Sequence, residues 1–435
     1  MSSEKISIEA VTKLIYRYPS FYGMEKFDHG VPVIRGEHLN DQGDISTVWT
    51  DYWFVSKEYS AIYPKTVLAE HDVVMSVRGS VGTFNRVRQA HIGAQISPNL
   101  IRLVPDPEKI YPPFFYYALR SDDVIAQMKG SVASSAVPAL KASDIKSAML
   151  HLPAYSVQIE AAETLSAIDN RITLLRETNT TLEAIAQALY KSWFVDFDPV
   201  HAKMQGRAPE GMDEATAALF PDSFEDSELG PVPKGWSVGL VGDFARLKKG
   251  TVNPGSQPDT LFEHFSLPAF DDGQRPVIES GASIKSNKTP VPDDAVLLSK
   301  LNPHIPRIWL PVRAGSNAVC STEFLAFQPT GVGSRELIYC LFSSPDFISR
   351  LQQLVTGTSN SHQRIKPDQV ALMTSVVPAA SVASAFEILT RPIFERVHAN
   401  RQKVQTLSAI RDVLLPRLIS GQLRISDALA EMDAV

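Results

Sequence analysis

The chain has 435 residues, 44% of them apolar, 30 prolines and a formal net charge of −6. That length predicts two to four domains with ample core, the prolines argue against an all-helical body, and the excess of acid argues against a uniformly basic nucleic-acid binder. The opening MSSEKISIEAVTKL has no export-type apolar core and no run of 18 apolar residues follows it, so a reducing, cytoplasmic setting is expected.

Residues 1–154 read as a strand-rich first domain. VPVIRG (31–36), TVLAEHDVVMSVRGSVGTFNRV (66–87) and NLIRLVP (99–105) carry strand patterns, the second folded about a glycine-bearing loop at 78–82. PPFFYYALRSDDVIAQMKG (112–130) has helical spacing with prolines in its first turn.

Residues 155–199 read as a long helix. Leu165, Ile168, Ile172, Leu175, Asn179, Leu182, Leu189 and Trp193 recur at steps of three, four or seven, the seam of a helix that lies along another. Its partner is in the same chain: Pro378-Ala379-Ala380-Ser381 repeats Pro153-Ala154-Tyr155-Ser156 at an offset of 225, and Ile172, Leu182, Ile185 and Leu189 then match Val397, Leu407, Ile410 and Leu414. Asn179 maps to Val404 and Leu175 to Asn400. A lone asparagine in an apolar seam suggests a register-setting pair.

Residues 200–232 are rich in Pro, Gly and acid and read as an acidic linker. Residues 233–378 echo the first domain, residues 379–425 the long helix, and 426–435 form a tail. In particular DDAVLLSKLNPHIPRIWLPV (293–312) answers EHDVVMSVRGSVGTFNRV, and ELIYCLFSSPDFISRLQQLVTGTS (336–359) answers FFYYALRSDDVIAQMKGSVASS. The fold class is therefore α+β: two strand-rich domains separated by two long helices that pair as an antiparallel coiled coil, an internal repeat with pseudo-twofold symmetry.

Catalytic signatures are missing from the sequence. There is no phosphate-cradling loop ending in Lys-Ser/Thr and no G-x-G-x-x-G after a strand. Tyr111-Pro112-Pro113-Phe114 and Asn302-Pro303-His304-Ile305 approach the short turn of amino-methylating enzymes, each with one wrong residue. The histidines show no paired ligand spacing, and Cys320 and Cys340 read as buried thiols.

ALYKSWFVDFDP (188–199), PVPKGW (231–236) and LLPRLISGQLRI (414–425) closely resemble the helix-end motifs of the DNA-specificity subunits of type I restriction–modification systems. VPVIRGEHL (31–39) and the loop at 77–82 resemble that family's first target-recognition domain. The resemblance implies a non-catalytic, sequence-specific subunit that reads a split double-stranded DNA target, one domain per half-site. It would recruit two modification (methyltransferase) subunits and restriction/translocase subunits. No cofactor is expected in this chain: S-adenosylmethionine, ATP and Mg would belong to the partners. About 35 helical residues would make a spacer of roughly 50 Å. A coiled-coil scaffold without intrinsic DNA specificity is the alternative.

Candidate DNA contacts in the first domain are Arg78, Ser80, Arg86, Arg88, Ser134, Ser135 and Lys141. In the second they are Lys248, Lys249, Lys300, Asn302, His304, Arg307, Ser361, His362, Gln363 and Arg364. Arg and Lys neutralise phosphates, while Arg, Asn and Gln can also pair with base edges. Trp193, Phe194 and Phe197 form an aromatic group that reads equally as core or as partner surface, with Leu415, Leu418 and Ile419 as its counterpart.

Overall fold

The computed structural model describes residues 4–17, 25–40, 42–77, 83–133, 140–311, 314–355 and 363–423. The chain divides into two compact units, Met1–Thr173 with Gln405–Val435, and Leu174–Val404. Each unit takes a part of both long helices.

In the first unit, Thr12–Arg17, Leu100–Pro105, Val73–Ser76 and Phe84–Arg86 form a four-stranded sheet in that order. The run VVMS at 73–76 shows no polar alternation because both faces of its sheet are covered. Side chains on a strand point alternately to opposite faces, and here Val73 and Met75 enter one apolar core while Val74 enters another. A smaller sheet sets Val31–Ile34 antiparallel to Phe54–Val55 and parallel to Gln95–Ile96. Glu4–Ser7 pairs with Met149–Leu152, the strand that leads into the first long helix.

The second unit repeats the order of the four-stranded sheet and adds strands elsewhere, Thr289–Pro290 to its smaller sheet and the pair Phe224–Glu225 with Val232–Pro233. Ala245–Leu247, Phe324–Pro329, Val296–Ser299 and Ile308–Trp309 form its four-stranded sheet. Val296 and Leu298 again face one core and Leu297 another. Leu261–Phe265 lies antiparallel to Val277–Ser280 and parallel to Ala318–Cys320. Ser237–Leu240 pairs with Thr374–Val377, which leads into the second long helix. Cys320 and Cys340 are both buried and free.

Each long helix spans 40 residues, Tyr155–Phe194 and Ala380–Ile419. Within the first unit Asp169 is ion-paired to Arg411; within the second Asn179 meets Asn400 and Glu183 meets Arg401. As one number rises the other falls, so the helices run antiparallel in both units. Along the seam from Leu165 onward, the buried positions of the first helix include Asp169, Ile172, Leu175, Asn179, Ala186, Tyr190 and Trp193. Two polar residues thus share the seam, and Asp169 takes the buried position beside the half-buried Ile168. The second helix stops at Gly421, whose φ of +70° suits glycine, with the Gly421 and Gln422 amides donating to the Leu418 and Arg417 carbonyls.

The acidic segment 200–232 is not a free linker, as its composition suggested. Val200, Phe220 and Val232 are buried, and the first two lie in the core of the second unit. Asp198–Met204 and Glu214–Ala218 are helical, and the Lys203 ammonium donates to the Ala217 and Phe220 carbonyls. A few apolar anchors outweigh the charge between them, since each buried large side chain contributes about 1.5–3 kcal/mol.

Candidate nucleic-acid interface

In the second unit the strand Val296–Ser299 runs into a loop that returns as Ile308–Trp309. The loop is shaped by its own backbone: the Ser299 amide bonds the Arg307 carbonyl at 2.9 Å, and the Ile305 amide bonds the Asn302 carbonyl at 2.8 Å. Asn302 sits at φ +50°, a left-handed conformation that asparagine tolerates better than most residues. A second segment then clamps the loop. The Asn302 amide donates to the Gln363 carbonyl (2.8 Å), and the Ile365 amide donates to the Lys300 carbonyl (3.1 Å).

Lys300, Asn302, His304, Gln363 and Arg364, far apart in sequence, are thereby gathered in one place. His304 and Arg364 are exposed, and Lys300, Asn302 and Gln363 half-buried. Arg364 forms two 3.1 Å bonds to Glu323, which raise its pKa, yet leaves 45% of its side chain exposed. The Asn302 Oδ1 is buried and has no hydrogen-bond partner among the described residues. Strand register carries Lys248 and Lys249 past Leu247 toward the same end of the sheet, where the Lys248 amide meets the Ala326 carbonyl and the Lys300 amide the Glu323 carbonyl.

Arg307 departs from this group. It makes two bonds to Asp271, at 2.7 and 2.9 Å, and its side chain is only 14% exposed, so it braces the loop rather than facing outward.

The first unit has the corresponding hairpin, but Arg78, Ser80, Ser134 and Ser135 lie outside the described residues, as do Ser361 and His362 of the second unit. Lys141 is exposed and begins the short helix Ala142–Ser147, its amide bonded to the Asp144 carboxylate.

Arg86 and Arg88 are both held by acids of their own unit. Arg86 lies 3.2 Å from Asp44 and 3.6 Å from Asp169, and donates to the Tyr117 hydroxyl at 3.2 Å. Arg88 grips Asp44 through two bonds, at 2.8 and 3.1 Å, and reaches Asn170 and Thr173 on the long helix. Tyr117 also donates to Asp169 at 2.9 Å, and Arg411 bonds the other Asp169 oxygen at 3.1 Å. Burial alone would raise the Asp44 carboxyl, but the hydrogen bond from Arg88 and the charge of Arg86 hold it below its ordinary value. These arginines tie the hairpin to the helices of their own unit. Asp44, Tyr117, Asp169 and Arg411 were missed in the sequence because each belongs to a different segment. Only the acid in an otherwise apolar seam could have signalled them.

The aromatic group resolves as core. Trp193 is 2% exposed, edge-on to Phe220 at 4.9 Å and Phe386 at 5.9 Å, and Phe194 packs on Phe386 and Trp236. Phe197, at φ +54°, turns the chain out of the helix and meets Phe224 and Trp236. Leu418 and Ile419 are buried in the first unit's core, with Leu415 half-buried against it. Burial of these rings and aliphatic side chains favours the core over the partner surface, the two readings the sequence left open. No group of three or more His, Cys, Asp or Glu among the described residues is placed to hold a metal, and no helix among them is long and apolar enough to cross a membrane.

Two units with the same four-stranded sheet order, each with its share of an antiparallel helix pair, define an internally duplicated chain. Residues 14–184 match a family described as the type I restriction modification DNA specificity domain. The chain is 23% identical over 377 residues to the type I restriction enzyme HindI specificity subunit of Haemophilus influenzae, covering 75% of this chain and 81% of that one. It is 24% identical over 327 residues to the MjaIX specificity subunit of Methanocaldococcus jannaschii, covering 72% and 69%. The type I restriction–modification S subunit from M. genitalium shares the fold at a TM-score of 0.54, with 14% identity and 96% coverage of both chains. The chain thus carries a type I restriction modification DNA specificity domain over residues 14–184, and about three quarters of it is similar to specificity subunits.

Proposed function

We propose that this chain is the sequence-reading subunit of a type I restriction–modification complex, one unit contacting each half of a split duplex target. The observation that carries this reading is the clamped loop of the second unit, which turns Lys300, Asn302, His304, Gln363 and Arg364 into one polar group on a strand-built frame. Such a group combines phosphate-neutralising cations with amides able to bond base edges. Arg86, Arg88 and Arg307 serve as positioning residues behind the readers. Chemistry resides elsewhere: methyl transfer with S-adenosylmethionine, and the ATP- and Mg-dependent restriction motor, belong to partner subunits acting in the cytoplasm.

Ile185 and Ile410 occupy equivalent places in the repeat, one in each unit, and are 49% and 38% exposed. Equivalent apolar positions suit two copies of one partner, the modification subunit. The direct test of the reading is a salt-dependent shift of labelled duplex by the complex, followed by mapping of methylated bases. Methylation confined to a split sequence is the expected result. Binding without sequence preference would favour a bare coiled-coil scaffold and overturn it.

A further inference from the structure

The two halves of an internal repeat carry a built-in hazard: a helix that pairs with its repeat-mate resembles one that could pair with a copy of itself. We infer that the seam of the long helices is coded so that the first helix accepts the second and rejects the equivalent helix of a second copy of this chain. Four layers carry the code.

In the second unit Asn400 donates to the Asn179 Oδ1 at 2.9 Å, and Asn179 donates to the Val397 carbonyl at 3.2 Å. Both asparagines are buried, at 0% and 8% exposure. The same register sets apolar Leu175 opposite Val404. Farther along, the antiparallel register brings the small Ala186 to the level of the large Phe394, and both are buried in the same core. In the first unit the layer is ionic, Asp169 against Arg411, at 3.1 Å.

The 225-residue offset shows what self-pairing would do. Asn179 is equivalent to Val404 and Asn400 to Leu175; Asp169 is equivalent to Phe394 and Arg411 to Ala186. Two copies of the first helix, in the observed register, would set Asn179 against Leu175 and Asp169 against Ala186, each twice by symmetry. Two copies of the second would set Asn400 against Val404 and Arg411 against Phe394. Every mispaired layer buries an amide or a charge against a hydrocarbon, whereas the observed pairing matches polar with polar, charge with charge and small with large. A buried amide matched across a helix seam is an established means of choosing a partner, and loss of such a match costs more than the bond itself is worth. The half-exposed Glu183–Arg401 pair does not keep the first helix from its own copy, because Arg176 holds the place of Arg401 there, although Ser408 replaces Glu183 on the second. The code therefore resides in the buried layers.

This inference is independent of DNA reading, and its test needs no DNA. In the full chain, Asn179→Val with Asn400→Leu makes each helix match its repeat-mate at the amide layer; adding Asp169→Phe and Arg411→Ala levels the remaining difference. Sedimentation of the parent and both variants reads self-association, with helix content followed by circular dichroism. The expected result is that levelled chains associate at a concentration about tenfold or more below the parent's. Both variants keeping the parent's association would overturn the inference. If the four-site variant fails to fold, the two-site variant decides alone. A second reading guards against a purely structural effect: Asn179→Val alone should melt below the double Asn179→Val, Asn400→Leu. Equal melting of the single and double variants would show that the two amides are not a matched layer.

Discussion

Asp44 holds two guanidiniums, and its own titration reports on them. The carboxyl lies below its ordinary 3.8 because the pull of Arg88 and Arg86 outweighs the desolvation that would raise it. A carboxylate with a depressed folded pKa adds stability that is complete above the unfolded value and fades as pH falls through the folded one. The parent should therefore lose more melting temperature between about pH 5 and pH 2 than an Asp44→Asn variant, which starts lower and falls less. A parallel fall of the two curves would remove Asp44 from its bracing role. In the second unit, Lys300→Ala and Asn302→Ala test the readers themselves. Asn302→Ala should cost about 1–3 kcal/mol of binding and relax one half of the target, while Lys300→Ala should weaken binding to all sequences and lower the salt slope by about 1. Relaxation of both half-sites by either change would argue against one reader per half.

At the scale of elements, the end of the first long helix is where packing and recognition compete as explanations. Trp193 is enclosed by Phe194, Phe220 and Phe386. Trp193→Ala should destabilise the second unit by about 3–5 kcal/mol, the range for truncating a buried aromatic. Chemical denaturation with protection mapped by hydrogen exchange checks it; loss confined to partner binding, with stability intact, would return Trp193 to the interface. The clamped loop makes a similar point. Its bonds to residues 363–365 are main-chain bonds, so side chains there can change without moving the frame.

For the whole molecule, the proposed docking of two copies of one modification subunit makes equivalent positions of the repeat the place to test. Placing glutamate at Ile185 and at Ile410 should abolish co-purification of the modification subunit, while either change alone should leave about one copy bound, by mass measurement of the complex. Full stoichiometry in the double variant would locate the docking surface elsewhere. Much of the fold was legible beforehand because it is duplicated: the strand patterns of 66–87 and 293–312 are alike although few residues match, and the helix register held without a slip over the repeat. The candidate site was less legible. Arg364 is set opposite Leu301 by the backbone bonds of Lys300 with Ile365 and Asn302 with Gln363, and no periodicity reports such a pairing.

Local chemistry alone determined the two long helices, their shared register, the terminal glycine stop and the strand-rich units, because periodicity and turn residues act over a few neighbours. Tertiary structure decided which charged residues face outward. Arg86 and Arg364 look alike in sequence; one is neutralised within its unit by Asp44 and Asp169, the other keeps an exposed head beside Glu323. The same holds for the seam, where Asn179 was only an odd residue among leucines until Asn400 stood opposite it. A buried polar group takes its meaning from the partner that repays its desolvation, and that partner is set by the packing of the whole chain.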